Sequence, residues 1–203
     1  MIIAPTLNLF IRDSRGASAA EFAMVLPLLL LFIFGTIDVG LYSWQINQAE
    51  KATQTGARWA VATDILPSGL ADYSFAVSEG IPQGTVVPQS AFPGVTCDES
   101  GCICAGSCGF DTTLNQAAFN ALVGRMQDIK ADITTSNVVV DYEYSGLGFS
   151  GDPNGPDVAP IVTVRLEDMD YQPLTFVLFN GTLDLPDLRY SLTAEDSEGS
   201  VAN

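Results

Sequence analysis

Between Phe22 and Ile37 the chain carries no charged side chain, and Val39 to Tyr42 continue the apolar run past a single aspartate, Asp38. At 1.5 Å per helical residue, Phe22 to Tyr42 spans about 30 Å, the thickness of a bilayer's hydrocarbon core. This feature constrains the fold most, because a helix apolar on every side needs lipid or a large core around it. Two arginines, Arg12 and Arg15, precede the run, whereas the part after Gly40 holds six Lys/Arg against twenty-one Asp/Glu. The positive-inside rule then keeps Met1 to Gly16 in the cytoplasm and sends the rest of the chain across, with one anchor.

A cleaved secretory signal is the plainer alternative, since a basic segment leads into an apolar one. It requires small residues at a cleavage site just after the apolar stretch. The residues after Phe34 read "GTIDVGLYSW", and the first A-x-A beyond them, Ala60 to Ala62, comes too late. The anchor is therefore expected to stay.

The net charge of −16 and the lack of any Lys/Arg cluster argue against nucleic-acid binding, because an acidic surface repels phosphate backbones. The chain has no histidine, which removes the commonest general base and the commonest metal ligand. No nucleophile with a base, no phosphate loop and no metal-ligand cluster stands out, so a non-enzymatic protein without a cofactor is expected.

Glu21 stands at the mouth of the apolar run, and charge deeper in lipid costs at least a few kcal/mol. It is either an interfacial carboxylate near a helix N-terminus, where the dipole favours it, or half of a charge pair. The stretch "RGASAAEFAMVLPLLLLFIFGTIDVG", followed by "AEKATQTGARWAVAT", resembles the TadE-like minor pseudopilins of the tight-adherence pilus system over about Arg15 to Ala62. "EFAMVLPLLLL" and the distal "GAR" before alanines carry the resemblance. Phe22 stands where the major subunits of these pili usually have tyrosine, which fits a minor subunit.

The resemblance implies cleavage between Gly16 and Ala17 by a prepilin peptidase. It also implies a pilin-like fold, contacts with other pilin or pseudopilin subunits and with an inner-membrane assembly platform, and a charge pair between Glu21 and the new amine of Ala17 on a neighbouring subunit. The function implied is that of a pilus-assembly subunit in the bacterial inner membrane, with its bulk periplasmic. A membrane-anchored periplasmic binding module, with Glu21 incidental, is the reading from another class.

Alternating steps of four and three from Leu28 pass through Phe32, Gly35, Val39, Tyr42, Ile46, Ala49, Thr53, Gly56 and Ala60. This is the spacing of a helix-packing seam, and Gly35, Ala49, Gly56 and Ala60 would admit another backbone. From Ala49 onward the seam is expected to pack on the chain's own domain. Pro27 bends the helix in its first turns, and Asp38 is expected to reach out to water. Four regions result: a leader, 1–16; a spanning and spine helix, 17–63; a Pro/Gly/Cys-rich loop region with at most short edge strands, 64–111; and an α+β region, 112–203.

Within the loop region, Cys97, Cys102, Cys104 and Cys108 read C-x₄-C-x-C-x₃-C. Zinc sites favour C-x₂-C pairs, so two disulfides are expected in an oxidising compartment, with Cys102–Cys104 the least comfortable pairing. Asp111 is expected to cap a helix burying Leu114, Ala118, Leu122, Met126, Ile129 and Ile133. From Asn137 the period falls to two, and "VVVDYEYSG", "PIVTVRL" and "TFVLFNGTLDL" read as strands, the last turning at Asn180-Gly181. "SGDPNGPD" offers Asp152, Asn154 and Asp157 as oxygen ligands, but lacks the later glutamate of an EF-hand and reads as a turn.

Overall fold

The computed structural model describes residues 16–153, 155–179 and 181–194. Arg12, Arg15, Asn154 and Asn180 lie outside the described residues. The class is α+β: a long N-terminal apolar helix, two shorter helices and antiparallel sheet. The chain forms two compact units, one of Met1–Ser43 with Gln172–Thr182, the other of Trp44–Tyr171 with Leu183–Asn203.

Helix α1 runs from Ala17 to Ala62 with Pro27 inside it. Its later part carries small residues where the second unit closes on it: Ala49, Ala52, Gly56, Ala57 and Ala60 are buried. A Cβ built on Gly56 would lie 2.8 Å from Met126 Sδ, so glycine is what admits that side chain. Beyond α1 the chain is held locally by a four-residue helix, α2 (Phe75–Ser78), and by buried Leu70, Phe75, Val87 and Phe92.

Residues 64–111 hold more order than the expected loop. Strands β1 (Val95–Asp98) and β2 (Gly101–Cys104) form a hairpin. Of these two, β2 alone is an edge strand, because β1 pairs on its other side with β3 (Val138–Glu143). Prolines at 82, 88 and 93 precede the hairpin and leave its ladder intact.

Helix α3 spans Gln116–Gln127 and buries Phe119, Leu122, Val123 and Met126. Its cap is Asn115, whose side chain accepts from Ala118 N, and not Asp111 as expected. Asp111 is engaged elsewhere: its Oδ1 accepts from the backbone N and the hydroxyl of Thr113. The stretch around it pairs with residues 67–69 through Ser68 N to Thr113 O and Gly69 N to Asp111 O. Gly69 permits this approach, since a Cβ there would come within 2.6 Å of Asp111 N. The helix ends before Ile129, and Lys130 is buried there, donating to Gln45 and pairing with Asp132 at 2.8 Å.

The five-stranded sheet has the order β2-β1-β3-β4-β7, with β4 at Ile161–Leu166 and β7 at Leu188–Thr193, all neighbours antiparallel. Alternation along β3 turns Val138, Val140 and Tyr142 into the core. The other face carries a cross-strand set in which Asp141 accepts from Thr96 at 2.7 Å and from Arg165 at 2.7 Å. Burial pushes the Tyr142 hydroxyl's pKa upward, and the oxygen accepts Leu66 N at 3.1 Å.

The third expected strand divides differently. Leu174–Phe179 is a 3-10 helix, and the strands flanking it are the two-residue pair β5 (Asp170–Tyr171) and β6 (Leu183–Asp184). The hairpin expected at Asn180-Gly181 involves a residue outside the described ones. Pro173 supplies the turn, its carbonyl accepting Phe176 N at 3.0 Å.

Candidate functional site

Of the features singled out in the sequence, the first half of α1 gathers the most. Gly16 precedes its first residue, Ala17, and Glu21 lies one turn further on the same face. Glu21 is exposed and has no polar partner among the described residues.

The apolar side chains that follow are uncovered all round. Met24, Leu28 and Phe32 keep 81%, 72% and 71% of their surface exposed, and Leu29, Leu31, Phe34 and Ile37 join them. This is the one helix among the described residues long and apolar enough to cross a membrane, with a mean hydropathy of 2.3 over its most apolar window. A helix apolar on every side and uncovered by protein is suited to lipid. Gly35 lies on this stretch, and a Cβ added to it would meet nothing within 4 Å. Its neighbours Leu31, Phe32, Thr36 and Val39 form an open apolar groove around it.

The small residues of the expected seam thus separate. Ala49, Gly56 and Ala60 are buried in the chain's own second unit, whereas Gly35 is open.

Asp38 is the residue the sequence misplaced. Expected to reach water, it retains only 7% of its exposure. Its Oδ1 accepts Leu174 N at 2.7 Å, and its Oδ2 accepts Thr175 N at 2.9 Å and the Thr175 hydroxyl at 2.6 Å. Two of these three donors are otherwise unmet N–H groups that open the 3-10 helix, and the third is the Thr175 hydroxyl. A carboxylate inside an apolar span costs about 2.5–3.5 kcal/mol or more when left unpaired, and three donors offset that cost. Nothing local could have announced this pairing, because the partner lies 136 positions away.

The four cysteines form two disulfides, Cys97–Cys102 and Cys104–Cys108. Cys97 and Cys102 face each other across the β1–β2 register, with Cα atoms 4.0 Å apart. Disulfide bonding leaves none of the four thiolates to bind zinc. At the hairpin's turn, Asp98 accepts the hydroxyl and the backbone N–H of Ser100, and these bonds hold its carboxyl below the usual range. Asp157, offered by the sequence as a cation ligand, is buried, and its two oxygens accept Phe75 N and Asp152 N. It fastens the loop to the core.

These features define a class: an α+β domain carried on one long helix whose leading half is apolar and bare of protein. Residues 16–58, from the glycine before α1 to the buried part of the helix, match the family model of TadE-like proteins, the group that the sequence resembles. No curated protein and no solved structure matches the chain.

Proposed function

We propose that this chain is a minor pilin-like structural subunit of a tight-adherence pilus assembly. The TadE-like match associates the segment with that pilus system. The observation that carries the finer reading is where the match falls. It starts at Gly16, takes in Glu21 and the whole exposed apolar half of α1, and stops at Arg58, just before the helix ends. In this reading a prepilin peptidase cuts between Gly16 and Ala17. Phe22 to Tyr42 anchor the chain once in the bacterial inner membrane, and the α+β unit lies in the periplasm, where the two disulfides are stable. The role is structural, and the surfaces available to other subunits are those the chain leaves bare: Glu21 and the groove at Gly35. The assembly platform and the peptidase complete the partners.

Glu21 does its work as a charge, pairing with the Ala17 amine of a neighbouring subunit so that neither ion is left alone at the membrane border. Glu21→Gln keeps the shape and most of the hydrogen-bonding capacity while removing the charge. Co-expressed with a matching prepilin peptidase and pilus system, the wild type should yield a mature chain beginning at Ala17 by intact mass and should enter the assembly. Glu21→Gln should still be cut but should drop out of the assembly. A mature chain that keeps residues 1–16 would refute processing, and equal incorporation of the two proteins would leave the binding-module reading in front.

A further inference from the structure

We infer that residues 172–179 form a lipid-contacting foot, held against the spanning helix by Asp38, so that the protein touches the membrane through a second segment besides its anchor. This rests on the anchor reading of α1 given above.

The segment and the leading half of α1 belong to one compact unit, so the contact between them is internal to it. Asp38 fixes the segment's depth. It sits one turn before Tyr42, at the outer end of the apolar run, with Trp44 just beyond; aromatic residues of this kind favour the membrane–water border. Three donors from Leu174 and Thr175 close on its carboxylate, so the start of the 3-10 helix is tied to that level. Of the side chains there, Leu174 and Phe176 leave 51% and 40% of their surface uncovered. Phe34, Ile37 and Leu41, within one turn of Asp38 on the helix, are exposed as well, so the segment tied to Asp38 adds apolar surface at the level where the helix leaves its own uncovered.

Charge points the same way. The chain is strongly acidic, and an anionic leaflet would repel most of its surface. Yet between Asp170 and Asp184 no charged residue occurs, and the sequence "YQPLTFVLFNGTL" is dominated by aromatic and aliphatic side chains. The segment leaves the sheet between two strands of only two residues each, β5 and β6, and returns at once. An uncharged apolar excursion, tied at interface depth to a spanning helix, fits the headgroup boundary and not water.

Tryptophan quenching tests this on the full chain in vesicles of phosphatidylcholine and phosphatidylglycerol. With Trp44 and Trp59 replaced by Phe, a single tryptophan is placed by Phe176→Trp or, as a reference inside the anchor, by Phe32→Trp. Lipids are brominated either just below the headgroup or at the chain end. The tryptophan at 176 should lose fluorescence to the shallow bromines and little to the deep ones. Adding Asp38→Ala should relieve that quenching and speed amide exchange at Leu174 and Thr175, while the β3 and β4 amides stay protected and so report an intact fold. Quenching at position 32 without quenching at 176 would overturn the foot and leave the anchor standing. No quenching at 32 would overturn the anchor reading itself, and the foot with it. Equal quenching at 176 with and without Asp38 would overturn the role given to that carboxylate.

Discussion

The two halves of α1 are one uninterrupted helix in opposite surroundings. From Ala17 to Ser43 its apolar residues are mostly large and stand bare, whereas from Trp44 to Ala62 the buried ones are mostly small: Ala49, Ala52, Gly56, Ala57 and Ala60. Residue size separates the environments better than hydrophobicity does. Lipid has no fixed shape to match, so Leu and Phe are as good as any filler. A packed domain brings atoms to within van der Waals distance of the helix, and only small side chains leave room for Met126 and its neighbours.

Substitutions at equivalent depths along the helix can break that contrast. The largest effect is expected at the helix's partner in the packed half. Met126→Ala empties a fully buried site and should cost about 2–5 kcal/mol in thermal or denaturant unfolding of the detergent-solubilised protein. Leu28→Ala, at a side chain that the described residues leave largely uncovered, should leave that unfolding curve unchanged. If the two shift it alike, the bare half of α1 is packed against protein after all.

Next comes the covalent tie at the sheet's edge. Replacing Cys97 and Cys102 together by Ala should cost about 2 kcal/mol, the chain-entropy value for so short a loop, and Cys97 is itself fully buried beneath the sheet. Cys104, paired with Val95 at the end of β2, is bridged to Cys108 outside the sheet and does not join two strands, so removing that bridge should cost less by the same unfolding measurement. The reverse order would mean that the second bridge, and not the hairpin, secures the edge.

The smallest effect sharpens the comparison most. Gly56→Ala should lower stability by about 1 kcal/mol, since the gain in helix propensity is outweighed by displacing Met126. Gly35→Ala meets nothing and should keep or slightly raise monomer stability through the same propensity gain. A loss of assembly with Gly35→Leu, at unchanged unfolding, would show that the groove at Gly35 serves another subunit.

Much of this was legible in the sequence where the cause is local. The expected spine, 17–63, differs from α1 by one residue at its end, because an unbroken apolar run and the alanine-rich seam both state a helix. "VVVDYEYSG" and "PIVTVRL" alternate as strands must, and β3 and β4 occupy them. The failures share a different cause. "TFVLF" looks like a strand by composition, but Pro173 and the distant carboxylate of Asp38 turn it into a 3-10 helix. Asp111 has the chemistry of a cap and lost the role because residues 67–69 draw its backbone into a paired extended stretch. Strand β7, "LRYSLT", escaped notice because its polar alternation marks an outer strand with a weakly buried face. At the candidate site, the bare surroundings of Glu21 and Gly35 follow from the apolar run in which they lie, whereas the partner of Asp38 could not be read from it.

The sheet's order carries a consequence for how such a chain is made. Once the β1–β2 hairpin has formed, β3 adds to the open side of β1, β4 to β3 and β7 to β4, so the sheet grows at one edge. No strand has to be threaded between two others that paired earlier. Both disulfides close over four or five positions, so an oxidant can set them while later residues are still on the ribosome. In the topology proposed above, with the N-terminus held back and the chain exported behind its anchor, the domain can therefore be built in the order of its arrival, each new segment finding its neighbour already in place. The uncharged excursion between β5 and β6 reaches much further back than these strands do, to the carboxylate of Asp38, 136 positions earlier.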